Sequence, residues 1–144
     1  MKLTAAVATT VLCLSTSWAL AAAPAKVVKK AAPVATLAAA SPEQIDAAGR
    51  ALMGTYECEF NQSINVVMNE KSPGYVDVKH QKAVYTMKPV QSSTGALRLE
   101  DVKGKTLWLQ IANKSMLMDV KAGRRIVDSC VHADQREAAA AAAK

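Results

Sequence analysis

The fold is most readable in residues 92–118, SSTGALRLEDVKGKTLWLQIANKSMLM. Apolar and polar residues alternate over residues 96–101 and 105–112, on either side of Val102-Lys103-Gly104, which predicts a β-hairpin preceded by a polar loop. A third alternating run, residues 114–120, follows this hairpin. Three short antiparallel strands in succession form a meander, and such a meander is typical of a barrel or a sandwich.

The same period of two recurs around this meander, in residues 55–60, 64–68, 75–81, 83–88 and 124–131. Pro89 should end the fourth of these eight strands, because proline has no N–H to donate to a sheet. Eight antiparallel strands close into a small barrel filled by side chains, and closure removes the exposed sheet edges. The sequence therefore predicts an all-β fold, a small eight-stranded antiparallel barrel over residues 55–132.

One short N-terminal helix is predicted over residues 41–54. Ser41 can accept a hydrogen bond from the free backbone N–H groups at the helix start, and Pro42 suits the first helical position. Gln44 follows three residues after the cap, as in a capping box. At the end of the chain, the alanine-rich residues 133–144 are helix-prone but short, so we expect a frayed tail.

Residues 1–21 have the form of a secretory signal peptide. Lys2 gives a positive start, an almost uncharged run follows, and Ala19-Leu20-Ala21 fits the small-x-small pattern of a signal peptidase site. A membrane anchor is the alternative, although the run is rich in Ala and Thr rather than Leu. Residues 22–40 are mostly Ala, Pro, Val and Lys, which predicts a flexible tether. We therefore expect a periplasmic protein whose leader is cleaved near Ala21.

The cysteines favour a disulfide. If Cys13 leaves with the leader, Cys58 and Cys130 remain, and an even pair in an oxidising compartment most simply forms one bond. These two lie on the first and last predicted strands, so the bond would join the closing seam of the barrel. A zinc site that adds His80 and His132 is the alternative, but it lacks the close ligand spacing of such sites.

The charge and composition argue against nucleic-acid binding. The chain has 18 Lys and Arg against 12 Asp and Glu, a net charge of +6, and the cations are spread mostly singly. Single-stranded nucleic acid needs a basic groove with stacking aromatic side chains, and three Tyr, two Trp and one Phe do not supply one. Dispersed charge of this kind is more typical of a solvated face.

Catalytic chemistry is not indicated, and no cofactor is expected. The chain has no Gly-x-Ser-x-Gly nucleophile elbow and no glycine-rich phosphate loop. Paired acids occur as Glu57 and Glu59 and as Glu100 and Asp101. The first pair should share the outward face of the first strand, where carboxylates usually face solvent. We therefore expect the protein not to be an enzyme.

Trp108 is a candidate contact for a partner. It alternates with Leu107, Leu109 and Ile111, so that if these three point into the barrel, Trp108 faces outward. An exposed indole there could anchor a partner protein. The alternative is that Trp108 covers the barrel flank beside a neighbouring strand.

Several residues together resemble the c-type lysozyme inhibitors of Gram-negative bacteria, both membrane-bound and periplasmic. The matching features are Tyr56-Glu57-Cys58 on the first strand, Thr94-Gly95 before a strand, Trp108 on the next strand and Cys130 on the last. The resemblance covers about residues 55–131. It implies an eight-stranded antiparallel barrel that blocks the active-site cleft of a c-type lysozyme with a loop.

On this resemblance, the inhibitory loop would be residues 92–95, with Ser93, Thr94 and Gly95 entering the cleft. Arg98 replaces the tyrosine of the family pattern, and Lys114 is nearest to the family's lysine, so both are candidate partner contacts. A different function stays open beside this one. The protein could be a non-enzymatic module of the cell envelope whose basic surface binds an anionic polymer or a lipid surface.

Overall fold

The computed structural model describes residues 36–143 of the 144-residue chain. The predicted leader, Cys13 and the predicted tether up to residue 35 lie outside the described residues. Two helices and eight strands follow one another, with a short 3-10 turn, Glu59–Asn61, after the first strand. In chain order they are α1 (Pro42–Gly49), β1 (Gly54–Glu57), β2 (Ser63–Met68), β3 (Val76–His80), β4 (Ala83–Gln91), β5 (Leu97–Asp101), β6 (Thr106–Gln110), β7 (Ser115–Asp119), β8 (Arg124–Cys130) and α2 (Ala133–Ala142).

The strands form one antiparallel sheet in sequential order from β1 to β8. Its outer strands meet at Glu57 and Val131, whose backbone groups exchange two hydrogen bonds of 3.1 and 2.8 Å. Beside this bridge, Cys58 and Cys130 form a disulfide. The all-β prediction of an eight-stranded antiparallel barrel is confirmed, with a nearly closed seam, and so is the predicted disulfide.

Alternate residues of each strand fill the barrel, as the pleat of a β-strand requires. The ring of Tyr56 meets the ring of Trp108 edge to face at 5.0 Å within this core. The interior side chains are aliphatic or aromatic and fully buried, which stabilises the fold by removing apolar surface from water. They include Tyr56, Ile64, Val66, Val76, Val78, Met87, Leu99, Trp108, Leu117 and Val127.

The meander sorts the connections into two ends, because the chain reverses direction at every strand. The helical end carries α1, α2 and the connections at residues 69–75, 92–96 and 111–114. The turn end carries the connections at residues 58–62, 81–82, 102–105 and 120–123.

Both helices are tied to the connections of the helical end. From α1, the buried Gln44 donates from Nε2 to the backbone oxygen of Gly74 at 2.9 Å. From α2, the buried Gln135 donates to the backbone oxygen of Ile111 at 2.7 Å. Neither helix among residues 36–143 is long and apolar enough to cross a membrane.

The first strand ends sooner than predicted. β1 stops at Glu57, and the chain turns at Glu59–Asn61 instead of continuing to residue 60. Phe60 and Asn61 both have left-handed backbone dihedrals, with φ of 54° and 55°, which a strand does not allow. The expectation that Glu57 and Glu59 share one strand face is therefore wrong.

The fourth strand continues through the residue expected to end it. Pro89 lies within β4, opposite Leu99 of β5, and its side chain is buried. On the other side of β4, the pairing with β3 ends at Val76 and Met87. At residue 89, β4 no longer has a β3 partner. The N–H that proline lacks is therefore not needed for a hydrogen bond to β3.

The two helices also differ from expectation. The Ser41 cap is present, with Oγ accepting from the N–H of Gln44 at 3.2 Å, but α1 ends at Gly49 rather than at residue 54. The alanine-rich tail forms α2 instead of fraying. The His132 side chain accepts from the helix start and Gln135 accepts from the N–H of His132, which together make a capping box.

Candidate functional site

The loop at residues 92–95 is an exposed turn at the helical end, between β4 and β5. Its backbone closes on itself, since Ser92 N–H donates to Ala96 O at 2.9 Å and Gly95 N–H donates to Ser92 O at 3.1 Å. Gly95 has a φ of +81°, a conformation that side-chain-bearing residues rarely adopt. The sequence therefore makes a defined turn here, and the glycine is required by its backbone.

The hydroxyl groups of this loop are ordered relative to one another. Ser92 Oγ lies 2.9 Å from Thr94 Oγ1 and also accepts the N–H of Thr94 at 3.3 Å. Ser93, Thr94 and Gly95 are all exposed. A Cβ added at Gly95 would meet no atom within 4 Å, so the space around this residue is open. The loop can present hydroxyl donors to an acceptor such as a carboxylate.

Arg98 lies outside this loop, on the outer face of β5. Its guanidinium is 3.1 Å from a carboxylate oxygen of Glu100, and both side chains are about half exposed. Its cross-strand neighbours are Val90 and Leu109. Arg98 therefore presents a cation to solvent on the barrel flank, partly balanced by Glu100.

Lys114 lies in the connection between β6 and β7, at the same end as the loop. Its Nζ is 3.3 Å from Oδ1 of Asp128, and Arg125 lies 3.1 Å from the other oxygen of that carboxylate. The N–H of Ser129, 2.6 Å away, lowers the pKa of Asp128 most, and Lys114 and Arg125 lower it further. This largely buried carboxylate is thus charged and holds the Lys114 side chain against β8.

Trp108 points into the barrel, so the expectation of an outward indole is wrong. It is fully buried opposite Leu99 and Leu117, while Leu107 and Leu109 take the outer face. The inner face of β6 carries Thr106, Trp108 and Gln110, whereas the outer face carries the more apolar Leu107 and Leu109, so alternation alone placed the wrong face inward. The pairing of Leu99 with Trp108 would have given the correct phase. Trp108 is therefore a core residue.

The remaining polar candidates serve the fold. His80 is buried at the turn end, where Nε2 lies 2.9 Å from Oε1 of Gln62, and burial lowers the pKa of this imidazole. His132 lies at the helical end, with Nε2 3.1 Å from Met53 O. Asp101 is buried and accepts two backbone N–H groups of the next turn.

A zinc site at the two cysteines is excluded, because both sulfurs are committed to the disulfide. Across residues 36–143, His, Cys, Asp and Glu do not gather in any group of three that could hold a metal ion.

The sequence analysis did not identify two features of the structure. One is Asp128, whose spacing of three from Arg125 was a readable signal of an ion pair. The other is Phe60, which is 85% exposed.

Comparison of the chain with protein-family models, with curated proteins and with solved structures gave no match.

Proposed function

We propose that the protein is an exported, non-enzymatic inhibitor of c-type lysozyme. Ser93, Thr94 and Gly95 enter the enzyme's active-site cleft. The observation that carries the proposal is the glycine turn with its exposed hydroxyls, at the position along the chain where the inhibitory loop of the family it resembles lies.

The chemistry of the loop suits the cleft of a glycosidase. Lysozyme catalysis uses two carboxyl groups that flank the scissile bond. The hydroxyl of Thr94 can donate to one of these groups. When Ser92 Oγ donates to Thr94 Oγ1, the hydrogen bond between them orients the Thr94 hydroxyl and leaves its hydrogen free for that contact. Hydrogen bonds to a charged acceptor are stronger than neutral ones. A short polar loop can thus bind without any covalent step.

Cations near the loop add to this contact. Arg98 follows Gly95 by three residues, and its half-exposed guanidinium can pair with an acidic residue at the rim of the cleft. Lys114 lies at the same end and is held by Asp128. An ordered cation loses less conformational entropy on binding than a free one.

The charge of the helical end also supports the encounter. Its helices and connections contain four cations, Arg50, Lys71, Lys114 and Arg136, against five acids, Glu43, Asp46, Glu70, Asp134 and Glu137. C-type lysozymes are basic, so an approach toward this end meets no net repulsion although the whole chain is basic.

The test is lysozyme-catalysed lysis of bacterial cell walls in the presence of the purified protein. We expect stoichiometric inhibition. We also expect the double variant Ser93→Ala with Thr94→Val to weaken it by about tenfold or more, from the loss of charge-assisted hydrogen bonds. Ser63→Ala is the matched control, because Ser63 is exposed at the turn end. Unchanged lysis at a molar excess of the protein would refute the proposal.

A further inference from the structure

The exposed apolar side chains of the protein are concentrated near the turn end. Seven large hydrophobic residues are exposed among residues 36–143. Two of them, Ile45 and Met68, belong to the helical end. The other five lie in the connections of the turn end or in the strand segments next to them: Phe60 (85% exposed), Val84 (54%), Val102 (42%), Val120 (54%) and Ile126 (37%).

The same connections are basic. Lys82, Lys103, Lys105 and Lys121 are exposed, and the single acid, Glu59, accepts the backbone N–H of Asp128. Four lysines against one glutamate give the turn end a net charge of +3, whereas the helical end has one acid more than it has cations. Charges that are dispersed along the sequence are therefore separated in the fold, with a basic turn end and a slightly acidic helical end.

Phe60 is held outward by its backbone. It is the single Phe of the chain, and its φ of 54° and ψ of 35° place a bulky residue in the left-handed region. That conformation is unusual for an aromatic residue and costs free energy. The disulfide at Cys58 fixes the start of this turn. Because the ring is exposed to water, no burial of apolar surface offsets this cost in the free protein. Burial of the ring against a binding partner would offset it.

We propose that the turn end docks on an anionic lipid surface. Phe60, Val102 and Val120 enter the boundary between head groups and acyl chains, and the neighbouring lysines contact the anionic head groups. Apolar tips beside long basic side chains suit this boundary, because lysine stems lie along apolar surface while the ammonium groups stay in water. Each lysine near an anionic surface adds attraction.

The arrangement favours lipid over a protein partner. The core of a protein interface is a continuous apolar patch depleted of charge, especially of lysine. Here the apolar side chains belong to separate turns, and a lysine lies next to Val102 and next to Val120. A bilayer is fluid and needs no complementary surface, so it can take up apolar side chains that belong to separate turns. This docking is independent of lysozyme inhibition, since it uses the end of the barrel opposite to residues 92–95.

Co-sedimentation with vesicles tests the proposal. We expect binding to phosphatidylcholine vesicles that contain phosphatidylglycerol, weakened by salt, and little binding to phosphatidylcholine alone. Phe60→Ala should lower partitioning by about tenfold, and each of Lys103→Gln, Lys105→Gln and Lys121→Gln by about fivefold. Ile45→Ala and Lys71→Gln are the matched controls at the helical end and should change nothing.

Phe60→Trp gives a second readout that does not depend on affinity. Because Trp108 is fully buried, a blue shift of emission that the Phe60→Trp variant shows on addition of the anionic vesicles, and that the unchanged protein does not show, reports the new indole at residue 60. Three outcomes would overturn the proposal: no binding to the anionic vesicles, equal losses in the control variants, or binding without an emission shift. The last would indicate a purely electrostatic contact, such as one with a soluble anionic polymer.

Discussion

Thr106 places a hydroxyl inside the barrel without a hydrogen-bond partner. The residue is 6% exposed, and its Oγ1 is one of two buried side-chain polar atoms without a partner in residues 36–143. An unpaired buried hydroxyl costs free energy, so Thr106→Val, which keeps the shape, should raise the free energy of unfolding by about 1 kcal/mol. Chemical denaturation measures this difference.

Thr86→Val is the matched control for this change. Thr86 Oγ1 donates to Oδ1 of Asp77 at 2.8 Å. The same substitution there removes this hydrogen bond and should lower the free energy of unfolding by about 1 kcal/mol. If Thr106→Val were also destabilising, its hydroxyl would have to be paired in solution.

His80 should make the stability depend on pH. Burial lowers the pKa of His80, so the unfolded chain takes up a proton at a higher pH than the folded protein does. The stability is therefore full above the ordinary histidine pKa of about 6.5, and it falls as the pH drops from that value toward the folded pKa. His80→Gln should flatten this dependence in denaturation curves measured from neutral to mildly acidic pH. An equal fall in the variant would assign the effect to another group.

Among the elements, the strands were predictable where only one face is apolar. In β5, Leu97 and Leu99 face inward while Arg98 and Glu100 face outward, so the alternation gives both the strand and its phase. In β6 the two leucines lie on the outer face and the inner face includes Thr106 and Gln110, so the alternation gave the strand but placed Trp108 on the wrong side. The exact ends depend on tertiary contacts. Pro89 is accommodated only because β3 has already ended.

The helix at the end of the chain could not be predicted from its composition. A short run of alanine is marginal by itself, and what stabilises α2 is the contact of Gln135 with the barrel. Its side chain accepts the N–H of His132 at 2.9 Å and donates to Ile111 O at 2.7 Å and to Ser115 Oγ at 3.0 Å. Two of these partners, Ile111 and Ser115, lie 24 and 20 residues away in sequence, so no local pattern reveals them.

Gln135→Ala should therefore loosen α2. The change removes three hydrogen bonds of a residue that is 2% exposed, and we expect a loss of about 2 kcal/mol in the free energy of unfolding. Amide hydrogen exchange should become faster along residues 133–142. The neighbouring Glu137→Ala, at an exposed position, is the control and should leave the exchange unchanged. Equal protection in both variants would show that the helix does not need this contact.

Only part of the candidate site could be predicted from the sequence. The resemblance implies that residues 92–95 are the inhibitory loop, which stays a prediction, and the turn itself was readable from Gly95. The separation of charge between the two ends could not be predicted, because the cations are dispersed along the sequence. It follows from the meander, which sends alternate connections to opposite ends. A bilayer at the turn end would leave residues 92–95 facing away from the membrane, where a soluble enzyme could reach them.

The barrel is least secured at its seam, where β1 and β8 meet through one bridge between Glu57 and Val131. The Cys58–Cys130 disulfide spans 72 positions of sequence, and constraining so long a loop in the unfolded chain contributes up to about 4 kcal/mol. The double variant Cys58→Ala with Cys130→Ala should therefore lose most of that amount in denaturation experiments, and the reduced native protein should behave in the same way. Thiol labelling of the folded, oxidised protein should leave both residues unmodified. If both reacted, the seam would be held by noncovalent contacts, and the protein would not depend on an oxidising compartment.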